Sequence, residues 1–193
     1  APIDNDNGNG MPGRLGVWRT AGPERKVVSV EAGKVAGSKV KITVKCTLPA
    51  GASPYTTRLT VYGTGDVIVE NALEPGSEKL PNLPRFGMQF EIPGRLDRMR
   101  WYGRGPHESY WDRKTGAAFG AYESAVEDQI HVYVRPQENG NKTDVSWCAF
   151  TDARGAGLLA AGMPLLSVSA WPFTMEDLEK ADHINELPRR DTI

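Results

Sequence analysis

Lys39-Val40-Lys41-Ile42-Thr43-Val44-Lys45-Cys46-Thr47-Leu48 is the stretch whose reading decides the fold. Val40, Ile42, Val44, Cys46 and Leu48 alternate with Lys and Thr, a period of two that predicts a strand with one dry and one wet face. The pattern spreads outward from there. Val27, Val28 and Val30 make a short run before it, ended by a turn over 33–38. Tyr55, Thr57, Leu59 and Val61 keep the period after it, and Gly63-Thr64-Gly65-Asp66 turns the chain into Val67, Ile68 and Val69 as a hairpin.

Further on, Phe86, Met88, Phe90 and Ile92 share a face, and Met99 and Trp101 lead into a polar loop. Five more short runs cover 117–123, 131–134, 145–150, 157–161 and 165–170. The total is about eleven strands at the turn spacing of a sandwich. One helix is predicted, near the C-terminus: Thr174 and Asp177 form a capping-box pattern, Met175, Leu178 and Ala181 share a face, and His183 is placed on the same helix. No helical pattern of 10–15 residues alternates with strands, which argues against a parallel α/β sheet. The predicted fold class is therefore all-β: a large antiparallel β-sandwich, one domain over residues 1–193, with residues 1–25 a polar lead-in anchored by Leu15, Val17 and Trp18.

Composition narrows the function. Lys plus Arg number 23 against 24 Asp plus Glu, so no charged field draws the chain to nucleic acid or to an anionic membrane. No apolar run is long enough for a spanning helix. The start at Ala1, without a methionine, suggests a processed product or a piece of a longer protein. Cys46 and Cys148 lie in strand-like runs without zinc spacing and are expected as free, buried thiols, although pairing stays open. Asn141-Lys142-Thr143 matches the glycosylation acceptor pattern, which is short enough to arise by chance.

Trp101 to Lys114 mixes aromatics, cations, carboxylates and a histidine around Gly103, Gly105 and Pro106. It is predicted to be an ordered loop, either a ligand site or a buried joint. Gly103-Arg104-Gly105-Pro106-His107-Glu108 fails as a phosphate cradle because no helix start follows it. His107 beside Glu108 is a candidate acid/base pair, and Glu108 with Glu138 a candidate pair of glycosidase carboxylates. The competing reading, which the residue types favour, has these side chains holding loop backbone and arginines. The second polar loop, Arg135 to Asn141, offers planar donors and acceptors suited to sugar hydroxyls or to other loops, with a tight turn at Asn139-Gly140. His131 and His183 lack partners at metal spacing and are read as structural.

Four blocks then occur in order: Ala1-Pro2-Ile3-Asp4-Asn5-Asp6; Leu83-Pro84-Arg85-Phe86-Gly87-Met88; Trp101 to Tyr110 followed by Asp112-Arg113-Lys114; and Arg135-Pro136-Gln137-Glu138-Asn139-Gly140. Together they closely resemble the C-terminal domain, or small chain, of the large bacterial β-galactosidases of glycoside hydrolase family 2. The resemblance implies a galactose-mutarotase-like sandwich (supersandwich). It also implies a parent enzyme that hydrolyses terminal β-D-galactosides with retention, through two glutamates of a preceding (β/α)₈ barrel. Magnesium and sodium would be held mostly by other domains, so no cofactor or metal ligand is assigned here.

Neither Glu108 nor Glu138 matches the family's catalytic motifs, and no catalytic residue is assigned. His107, Glu108, Arg135, Glu138 and Asn139 are the candidates for substrate binding or the pocket wall, and Trp101, Arg104, Tyr110 and Arg113 for the structural loop. In the family the chain continues past the counterpart of Leu187 to Asp191 into further strands, including a segment ending in Asp-Asp-Ser-Trp. The expectation is thus a truncated, non-catalytic sandwich whose partners are the remaining domains and, in the full enzyme, a galactoside. Open sheet edges suggest a homo-oligomer. The source is expected to be bacterial, with cytoplasmic and periplasmic locations both open. The alternative is a stand-alone carbohydrate-binding or mutarotase-like module.

Overall fold

The computed structural model describes residues 3–35 and 37–193; Ala1 and Pro2 of the first block, and Ala36 of the turn over 33–38, lie outside the described residues. The architecture is all-β and antiparallel, as predicted, with two four-stranded sheets. The chain divides into two compact units, one over Asn5–Gly87 and the other over Met88–Ile193, to which Asp4 also belongs.

In the first unit, β1 (Lys26–Val35), β2 (Lys39–Leu48), β3 (Ser53–Tyr62) and β4 (Val67–Leu73) pair in sequence order as a meander. The deciding stretch is β2, with Val44 facing Val30 on one neighbour and Thr57 on the other. Its dry face is dry at one end only. Cys46 and Leu48 are buried, whereas Val40 is exposed. Trp18, Ala21, Leu48 and Ala50 form a core with Tyr55, Leu73 and Leu80 packed on it, and the Trp18 indole N–H donates to the Pro81 carbonyl at 2.9 Å.

The second unit carries β5 (Arg98–Gly105), β6 (Ala118–Ala125), β7 (Lys142–Thr151) and β8 (Gly157–Val168), in the order β6-β5-β7-β8. Here the period of two has its full consequence. Met99, Trp101, Gly103 and Gly105 of central β5 are buried while Arg98, Arg100 and Tyr102 face out. Met99 and Trp101 join Leu96, Val126, Val145, Cys148, Phe150 and Ala170 in one core. A Cβ at Gly103 would come within 2.8 Å of the Val145 Cα, so only glycine lets β5 and β7 approach so closely there. The predicted helix is present as Met175–Lys180, with both capping-box hydrogen bonds between Thr174 and Asp177; its Leu178 packs with Phe173, Ala181 and Leu187.

Several local expectations are corrected. Eight strands occur among the described residues where about eleven were expected. The runs at 157–161 and 165–170 are largely one strand, β8, whose pairing with β7 shifts register between them. Phe86 to Ile92 is not a strand, and Phe86, Met88 and Phe90 are exposed: alternation alone makes no ladder without a partner. His131 to Val134 is not one either, because the His131 N–H donates to the Asn139 side chain. The lead-in is more ordered than its Asn/Gly content suggests, with two short helices at Asp4–Gly8 and Met11–Leu15. His183 lies beyond the helix end, before a 3-10 turn at Ile184–Glu186. Both cysteines are free and buried, and burial pushes the Cys148 thiol up to about 11.

Candidate functional site

The polar stretch at 101–114 begins as strand: Trp101 to Gly105 complete β5, and only from Pro106 onward is it loop. That anchoring lets each following side chain be placed from a rigid element. Trp101 is buried and its indole N–H donates to the Arg104 carbonyl at 3.0 Å. Arg104 reaches across to β7, donating to Asp144 at 2.7 Å and to the carbonyls of Lys114 and Ala117 at 3.1 and 2.9 Å. Lys114 binds the same carboxylate at 3.0 Å and lies 3.9 Å above the Trp111 ring. Hydrogen bonds from Arg104 first, and then from Lys114, hold the Asp144 carboxyl below its ordinary range.

Glu108 is the centre of the next layer. One of its oxygens accepts from the Arg113 guanidinium at 2.7 Å and from the Tyr133 hydroxyl; the other accepts the Gly140 N–H at 2.8 Å. Burial alone would raise its pKa, but the hydrogen bonds from Tyr133, Arg113 and Gly140 outweigh it and keep the carboxyl below the usual value. Gly140 sits at φ +71°, the positive value expected of the Asn139-Gly140 turn, and an added Cβ would meet the Gln129 carbonyl at 2.6 Å. Loop and strand are further tied by Ser109: its N–H donates to the Asn141 carbonyl and its own carbonyl accepts from the Asn141 amide, both at 2.7 Å. Asn141 is therefore buried with its amide nitrogen engaged, which is incompatible with its use as a glycosylation acceptor in this fold.

The remaining candidates separate by environment. Asn139 is buried and saturated: its side chain accepts from His131 N–H and donates to the Gln137 carbonyl, and its own carbonyl accepts from the Trp171 indole at 3.0 Å. Glu138 is half-buried, and Tyr110, whose ring stacks against the Arg113 guanidinium at 4.7 Å, feels its charge. Burial first, then Glu138 and Glu108, push the Tyr110 phenol well above its ordinary value. Arg135 is exposed and reaches Asp4 at 3.5 Å and Asp182 at 4.0 Å. His107 is exposed and lines a cavity of about 120 Å³ with Pro106, Glu108, Asp128, Gln129, Ile130, His131 and Lys142.

Lys142 was not singled out from sequence. It is 1% exposed, donates to the Gly140 carbonyl at 2.9 Å, and lies 5.3 Å from the centre of the Trp101 ring. Burial lowers its pKa to about 8, with the Glu108 charge pulling the other way. Gln129, which is buried and also lines the cavity, does not stand out in the sequence either. Neither carries a sequence signal, because the first looks like an ordinary lysine at a strand start and the second lies in a short 3-10 turn, Glu127–Gln129. Among the described residues no three His, Cys, Asp or Glu side chains are grouped to hold a metal ion, and no helix is long and apolar enough to cross a membrane.

The chain matches the family model described as the β-galactosidase small chain over residues 1–193, and it belongs to that family. It is 39% identical to a β-galactosidase of Priestia megaterium over the whole chain. Over 97% of the chain, it is 36% identical to one of Lactobacillus delbrueckii subsp. bulgaricus and 32% identical to one of Halalkalibacterium halodurans. The chain spans 18–19% of the length of these relatives, all of bacterial source.

Proposed function

We propose that this chain is a non-catalytic part of a bacterial β-galactosidase that hydrolyses terminal β-D-galactosides with retention. It braces the catalytic domain and supplies loop residues to the wall of the sugar site. The observation that carries this reading is the state of Glu108. A retaining glycosidase needs one carboxyl free to exchange a proton with the leaving oxygen and another free to attack the sugar. Both oxygens of Glu108 are instead occupied by protein donors, and its pKa is moved away from the raised value a general acid requires. In this reading the two catalytic carboxylates come from the rest of the enzyme, and the chain's span of 18–19% of its relatives' length leaves room for them.

Within this role His107 and Arg135, both exposed, are the side chains able to face a substrate or a neighbouring domain. Arg104, Arg113, Tyr110 and Trp101 hold the loop in shape. Incubation of the purified chain with a chromogenic aryl β-galactoside tests the proposal. No turnover is expected; turnover abolished by Glu108→Gln or Glu138→Gln would overturn it.

A further inference from the structure

We infer that Lys142 and Glu108 are the two ends of a charge clamp on Gly140 that sets the shape of the 135–141 loop, and that neutralising either end loosens that loop. Gly140 sits at φ +71°, where an added Cβ would meet the Gln129 carbonyl at 2.6 Å, so a side chain has no room there. Glycine populates positive and negative φ about equally, and the backbone alone therefore does not choose this turn. Two side chains choose it. The Gly140 carbonyl accepts from the Lys142 ammonium at 2.9 Å, and the Gly140 N–H donates to the Glu108 carboxylate at 2.8 Å. A flip of either peptide flanking Gly140 breaks one of these bonds.

Both ends are fixed in place. Lys142 is the buried first residue of β7, with its ammonium 5.3 Å from the centre of the Trp101 ring, and Glu108 is held by Arg113 and Tyr133. The bonds on either side of Gly140 are of another kind. Asn139 meets the His131 N–H and the Trp171 indole, and Asn141 meets Ser109, all through neutral groups. Charge therefore enters this turn at Gly140. A charge-assisted hydrogen bond is roughly twice as strong as a neutral one, so each end weakens, without vanishing, when its charge is removed.

Acid and base act on opposite ends. The ionisable groups facing Lys142 are Glu108, Asp128, His107 and His131, which line the same cavity; those facing Glu108 are Arg113, Tyr133, Tyr110 and Lys142. Burial brings the Lys142 ammonium down to about 8, and the loop loosens as pH rises through that value. Glu108 stays charged to below its ordinary range because of its hydrogen bonds from Tyr133, Arg113 and Gly140, and the loop loosens again as pH falls through the lowered value. The clamp rests on these contacts and is independent of the glycosidase reading.

The test is a pH titration of the 193-residue chain by NMR, reading the Gly140 carbonyl carbon and the exchange protection of the Gly140 and His131 amides, corrected for intrinsic rates. The carbonyl signal should show an inflection near pH 8, across which protection at both amides falls about fivefold. The β5–β7 ladder should gain protection over the same step, because the folded chain sheds a buried cation there. Lys142→Met should remove the alkaline inflection, Glu108→Gln the acid one, and Lys45→Met, an exposed lysine of β2, neither. The ladder amides verify that each variant is folded; should either clamp variant unfold, the two inflections in the unaltered chain still decide. A Gly140 carbonyl that does not titrate near pH 8, an alkaline inflection that survives in folded Lys142→Met, or loop protection that moves in step with the ladder would overturn the inference.

Discussion

The two sheets put the same sequence pattern to different ends. In β5 every second residue is buried, and the strand runs through the middle of a core of eight buried residues. In β1 and at the start of β2 the valines are exposed: Val27, Val28 and Val30 are each at least 60% accessible, and Val35 and Val40 are exposed as well. Alternation therefore specifies that a segment is a strand and which side chains share a face, but not what covers that face. The difference also explains where the polar site sits. The cluster of Glu108, Arg113, Tyr133 and Gly140 is carried by the loops that leave β5 and enter β7, strands whose Trp101 and Val145 are packed and dry.

Substitution breaks the comparison most sharply at its two extremes. Trp101→Ala empties the centre of the second unit's core and is expected to cost about 3–5 kcal/mol in denaturant unfolding. Arg104→Ala leaves Asp144 without its nearest partner and takes one donor from each of the Lys114 and Ala117 carbonyls, for roughly 2–4 kcal/mol by the same measurement. Glu108→Gln removes the charge that three donors converge on, at about 2 kcal/mol near neutral pH. The Glu108 carboxyl has a folded pKa below its unfolded value. Its contribution is thus fully present above the unfolded value and is lost as pH falls through the lowered one, so the Gln variant should flatten that acid limb of the stability profile.

Lys142 is shifted in the same direction, but its charged form is the unfavourable one at neutral pH. Its folded pKa of about 8 lies below the ordinary 10.5, so the unfolded chain binds the extra proton between those values and stability rises with pH across that window. Glu108, Asp128, His107 and His131 border the same cavity, and Glu108 alone among them shows a resolved pull on the lysine. Lys142→Met should stabilise the chain by about 1–3 kcal/mol at pH 7 and abolish the rise above pH 8 in urea melts. At the small end, Val30→Ala in exposed β1 should stay within about 0.5 kcal/mol.

Much of this molecule is legible in its sequence, for identifiable reasons. The meander β1 to β4, the hairpin at Gly63 to Asp66 and the capped helix at Met175 are written in local patterns, period two, turn residues and the Thr174–Asp177 box. Phe86 to Ile92 has the same period and no ladder, because pairing depends on a partner that the segment itself does not encode. At the site, the loop residues stand out by composition. Which oxygen of Glu108 meets Gly140, and that Lys142 is sealed against Trp101, depend on residues more than thirty positions apart being brought together by β5 and β7. Long-range register of that kind leaves no trace in a window of ten residues.

The central claim, that Glu108 is a fixed structural carboxylate within the packed unit, is tested most directly by native-state hydrogen exchange at the Gly140 amide, which donates to it at 2.8 Å. Slow exchange at Gly140, comparable to the amides of the β5–β7 ladder and lost in Glu108→Ala, is the predicted result. Exchange at Gly140 as fast as at an unpaired loop amide, and unchanged by Glu108→Ala, would contradict it.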